Sequence, residues 1–157
     1  MKRHTYIYLL IITLFFCHCD RGSIFPPEPL IEYVSVNQTF LDYKVLEPQA
    51  RELVITFQFR DGDGDLGNAD ENQNEPNLLV KDNRPEFSTN PNNPYASSIP
   101  FLPKNSRKPL QQGTISVTYT PTTPTPTKDS TTFTIYIYDQ AGNKSNEITT
   151  PMIYLTR

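Results

Sequence analysis

Tryptophan is absent from the 157 residues, and histidine and cysteine occur only twice each. All four of those residues fall at the start of the chain: His4, Cys17, His18 and Cys19. Everything after position 19 therefore lacks both imidazole and thiol. Ser-His and Cys-His catalysis, His- or Cys-ligated zinc and a disulfide framework are excluded there. Carboxylate pairs could still support glycoside hydrolysis, but a small domain without tryptophan or an evident cleft makes a poor glycosidase, and the expectation is that the protein is not an enzyme. A basic cluster is also missing, with 14 Lys and Arg against 17 Asp and Glu. Phosphate binding rests on such clusters, so nucleic acid is not the expected partner.

Long apolar runs are absent except for one. "MKRH" is followed by "YIYLLIITLFF" at residues 6–16, too short for a bilayer span of about 20 residues. A basic start and an apolar run of roughly 7–15 residues make a secretory signal. Two cysteines directly behind it point to lipoprotein processing, in which the thiol is acylated and becomes the new N-terminus. The residue ahead of such a cysteine is usually small, whereas here it is Phe16 or His18. Cys19 is the favoured anchor, because "CD" and a polar stretch follow it; Cys17 is the alternative, and ordinary secretion the fallback. The expected division is a signal at 1–18, a tether at 19–29 held extended by Pro26, Pro27 and Pro29, and one domain at 30–157. Cleavage at that point removes Lys2 and Arg3 but no acid, taking the charge from −3 to −5.

Helical periodicity is scarce as well, and alternation takes its place. "RELVITFQFR" sets Leu53, Ile55, Phe57 and Phe59 against Val54, Thr56, Gln58 and Arg60. "GTISVTYT" and "TTFTIYIYD" alternate in the same way, through Ile115, Val117, Tyr119 and through Phe133, Ile135, Ile137. "LIEYVSVN" and "NEITTPMIYLT" are strand-like but less regular. β-Branched and aromatic residues at a period of two are what half-buried antiparallel strands require. Tyr136 and Tyr138 then fall on the outward face, where a phenol needs no ligand to explain it. Fifteen prolines, an Asn-rich stretch near residue 70 and the segment 88–109 break the chain between strands, while "PTTPTPT" reads as a stiff connector. The sum is an all-β protein, an immunoglobulin-like antiparallel β-sandwich.

One loop carries chemistry. "RDGDGDLGN", residues 60–68, places Asp61, Asp63 and Asp65 at alternating positions with Gly62 and Gly64 between them. Calcium takes six to eight oxygens at about 2.3–2.6 Å, often from a short loop donating at such positions. The stretch is not an EF-hand: Leu66 stands where glycine is expected, Asn72 where a bidentate glutamate belongs, and no amphipathic helix flanks it. A tight turn is the plainer account, since Asp and Gly are common turn residues. However, three carboxylates crowded without a cation repel one another. "YDQAGNKSN" ends another strand with Asp139. The second and sixth strands of an immunoglobulin-like sandwich run the same way, so if these are the two strands, both loops leave at one pole. The expected site is calcium at Asp61, Asp63, Asp65 and Asp139.

"PPEPLIEYVSV", "ITFQFRDGDGDLGN" and "FTIYIYDQAGNKSNEITTPMIYL" together resemble small, uncharacterised lipoproteins of Bacteroidota built on an immunoglobulin-like domain. The resemblance covers both ends of the domain and leaves residues 72–110 without a match. It implies a non-catalytic module held in the cell envelope, at the outer membrane, by an N-terminal lipid, with an unknown protein or glycan as partner. It also implies O-glycosylation at Asp-Ser/Thr motifs, and Ser130 in "DST" stands in one. Two roles stay open: a binding or adhesive accessory module, and a structural subunit of an envelope complex for secretion, gliding or nutrient uptake, without metal.

Overall fold

The alternating segments become strands. The computed structural model describes residues 25–69, 75–90, 93–103, 110–121 and 129–156. Among these residues the strands are β1 (Leu30–Val36), β2 (Phe40–Asp42), β3 (Leu53–Asp61), β4 (Leu78–Asp82), β5 (Tyr95–Ser97), β6 (Gln111–Tyr119), β7 (Ser130–Thr131), β8 (Phe133–Ile137), β9 (Ile148–Thr149) and β10 (Ile153–Thr156). The helical elements among the described residues are two short 3₁₀ turns, Pro48–Arg51 and Pro85–Phe87. The signal segment, Cys17, Cys19, the tether up to residue 24 and most of the "PTTPTPT" connector lie outside the described residues. No helix among the described residues is long and apolar enough to cross a membrane.

β3 is the centre of one sheet, with β1 and β6 antiparallel on either side. A second sheet runs β5-β4-β8-β9, and a third, three-stranded one runs β2-β10-β7. Thr132 alone separates β7 from β8, and residues 150–152 separate β9 from β10, so each pair is one strand interrupted once. β10 pairs with β7 on one side and, in parallel, with β2 on the other. The first described strand is thus shared, its β1 part in the β1-β3-β6 sheet and its β2 part in the β2-β10-β7 sheet. Counted in this way the strands number seven, with β3 second and β8 sixth. The fold is the all-β antiparallel sandwich that the alternation predicts, the β2–β10 pair being its parallel exception.

The core follows from the alternation. Leu53, Ile55, Phe57 and Phe59 of β3 and Phe133, Ile135 and Ile137 of β8 are buried in one cluster with Ile31, Leu41, Val80, Val117, Ile153 and Leu155. Each such side chain contributes roughly 1.5–3 kcal/mol relative to exposure. The irregular segments have local causes. In β1 the register shifts between Tyr33 and Ser35, a bulge that turns Val34 outward. Pro151 interrupts the last strand because it has no N–H to give a ladder.

β4 and β5 fall within residues 72–110, which the resemblance leaves without a match. β4 buries Leu78, Val80 and Asp82 and turns Leu79 and Lys81 away, so an acid occupies a core position. Asp82 is tolerated there because Arg84 donates to it through Nη2 at 2.6 Å and through Nε at 3.1 Å, and the Thr131 hydroxyl adds a bond at 2.9 Å. Both charged side chains are almost wholly buried. Such a pair is costly to desolvate and costlier to break.

Candidate metal centre

The aspartate loop begins on the last residue of β3. Asp61 continues the inward alternation of Phe57 and Phe59 and is fully buried. One of its carboxylate oxygens, Oδ2, accepts the N–H groups of Asp65 at 2.8 Å and Leu66 at 2.9 Å. These two bonds curl the chain back and aim the other oxygen into the loop. Gly64 makes the curl with φ of 70°, a conformation that glycine adopts without steric cost. Leu66 then drops into the core at 0% exposure, which explains a leucine where an EF-hand would have glycine.

The result is a convergence of acids. Asp61, Asp63 and Asp65 each bring a carboxylate oxygen within 4.8 Å of the others'. Oxygens on one calcium ion at about 2.3–2.6 Å lie no more than about 5 Å apart, so the spacing fits that ion. Oδ1 of Asp61 and Oδ1 of Asp63 are buried without a hydrogen bond, an arrangement that is expensive for an acceptor unless something satisfies it. The electrostatics agree. Burial, and then the charge of Asp63, push the Asp61 carboxyl up to about 6, against the pull of the Asp65 and Leu66 N–H groups. A bound cation relieves this strain directly.

Asp139 reaches the same pole in a different capacity. Its backbone bridges Leu66, and the Gln140 N–H donates to the Asp65 carbonyl at 3.2 Å, so the loops after β3 and β8 do meet. Its carboxylate is occupied in its own turn: Oδ1 accepts the Asn143 N–H and Oδ2 the Asn143 side-chain amide, both at 2.8 Å. Asp139 is not one of the grouped acids. It buttresses the loop through its main chain.

The tether's end also belongs to this pole, which sequence reasoning missed. Pro29 is buried, the Arg60 guanidinium lies 5.3 Å from the centre of the Phe25 ring, and the carbonyls of Phe25 and Pro26 crowd Gly62. Cation–π pairing between Phe25 and Arg60, 35 positions apart, has no signature in a single sequence. The remaining expectations fall elsewhere. Ser130 is half-buried within β7, facing Tyr154 across the ladder. Tyr136 and Tyr138 are half-buried and pack edge to face, with the Lys144 ammonium 4.0 Å from the centre of the Tyr136 ring.

No family model, curated protein or solved structure matches this chain. The functional reading accordingly rests on the residues themselves.

Proposed function

We propose that this is a non-catalytic envelope lipoprotein whose immunoglobulin-like domain binds calcium at Asp61, Asp63 and Asp65, the ion rigidifying one pole of a binding module. The observation that carries the metal reading is the buried, hydrogen-bond-free Oδ1 of Asp61, on a carboxylate grouped with two others. All three are hard oxygen donors, which select calcium over softer metals. The lipoprotein reading is carried by Cys19 behind the apolar run, and the non-catalytic reading by a domain without histidine or cysteine.

A binding role for the pole has support in its surroundings. An open, polar hollow of about 290 Å³ lies beside it, lined by residues that include Leu30, Glu32, Gln58, Arg60 and Gln112. Its amide, carboxylate and guanidinium groups suit a glycan or a polar peptide.

Calcium titration tests the metal reading. At a hundredfold excess over Kd the ion stabilises the folded state by about 2.7 kcal/mol, raising the melting temperature by roughly 5–10 °C. The rise should be absent with magnesium at equal concentration, because magnesium dehydrates reluctantly. An unchanged melting temperature at millimolar calcium would overturn the reading.

A further inference from the structure

Gly62 lies between two of the grouped acids, and its φ is outside the left-handed region. Backbone freedom is therefore not why glycine is there. Space is the reason. A Cβ at this position would stand 2.2 Å from the Pro26 carbonyl oxygen and 2.5 Å from that of Phe25, closer than any side-chain carbon sits to backbone. The chain entering the domain thus lies directly across the aspartate loop, and it meets the loop with carbonyl oxygens.

That segment is poor in donors. Pro26, Pro27 and Pro29 have no N–H, so at these positions the backbone offers the loop carbonyl oxygens only. Its carbonyl oxygens stand over Gly62, the residue between Asp61 and Asp63, and a cation satisfies carbonyl and carboxylate oxygens alike. Three carboxylates also leave a calcium ion short of the six to eight oxygens that it takes, and backbone carbonyls are among its usual ligands. On the facing side Arg60 stacks on Phe25 and holds the segment in place.

We propose that the ion bound by Asp61, Asp63 and Asp65 also engages the Pro26 and Phe25 carbonyls, so that calcium clasps the end of the tether to the pole of the domain. The inference rests on the metal reading given above and adds to it a consequence: calcium sets whether the N-terminal segment is docked.

The absence of tryptophan supplies the test. Phe25→Trp introduces the sole indole of the chain and keeps an aromatic face for Arg60. In the full chain carrying this substitution, calcium should change the indole emission at the same concentration that raises the melting temperature. Terbium bound in place of calcium should luminesce on indole excitation. Adding Gly62→Ala, whose Cβ displaces both carbonyls, should weaken calcium binding by about 10–100-fold, as loss of a supporting partner does at other metal sites, and should abolish the indole response. If calcium raises the melting temperature while the indole emission and the terbium luminescence stay silent, the clasp is overturned and the metal site stands. Wild-type calcium affinity in a folded Gly62→Ala chain overturns the clasp as well. If calcium neither binds nor stabilises the unsubstituted chain, both readings fall together. Should Gly62→Ala not fold, the Phe25→Trp measurement decides alone.

Discussion

Asp63 is the side chain whose removal separates a metal loop from a turn. Its charge is the second cause, after burial, that pushes the Asp61 carboxyl up, and it makes neither of the loop-closing bonds, which both go to Asp61. Asp63→Asn should therefore leave the melting temperature in a chelator equal to the parent's or slightly higher, because like-charge repulsion is relieved. In millimolar calcium the same variant should lose most of the parent's rise. Scanning calorimetry in the two buffers reads this crossover, and a variant that is destabilised equally in both marks Asp63 as structural. At this scale the sequence was informative about composition and mute about orientation. The alternation of Asp and Gly named three ligand candidates, and those three carboxylates do converge. Asp139 was named by the same logic of position, yet Asn143 holds its carboxylate in a local turn. A four-residue side-chain bond is a choice between neighbours that spacing alone does not make. Gly62 reads in the sequence as an ordinary turn residue, whereas in the structure it leaves room for the Phe25 and Pro26 carbonyls.

At the scale of elements, legibility followed the regularity of burial. β3 and β8 bury every second residue and β6 alternates more weakly, with Val117 buried between half-buried Ile115 and Tyr119; all three are legible in the alternation. β1 and the last strand were blurred for reasons that are now specific, a bulge at Val34 and a break at Pro151. β4 escaped because its inward set ends in an aspartate, and its partner Arg84 lies two residues beyond in a turn. The pair gives that strand its own prediction. Asp82→Ala leaves the Arg84 charge buried without its carboxylate, and the expected loss is about 3–5 kcal/mol. Replacing both charged residues with apolar ones of similar volume should recover most of it, since a buried pair repays little more than its own desolvation. Urea denaturation of the single and double variants measures both values. A single substitution costing less than its paired replacement would contradict this account of β4.

For the whole molecule, the sandwich brings the loops after β3 and β8 to one pole and lays the incoming chain over the same pole. Three segments distant in sequence so share one small volume, a convergence that the fold class predicts for two of them and nothing in the composition predicts for the third. The anchoring proposal belongs to this scale. Metabolic labelling with a fatty-acid analogue should mark the parent and Cys17→Ala and spare Cys19→Ala; label lost only from Cys17→Ala would move the anchor by two residues. With residues 25 and 26 seated on the domain, five residues separate Cys19 from the folded part. Six links of extended chain reach about 20 Å. A lipid on Cys19, as proposed, would therefore moor the aspartate pole on a leash shorter than the bilayer is thick. On that proposal the domain would stand close over the membrane with this pole toward the headgroups, and the short radius would fix what it can touch.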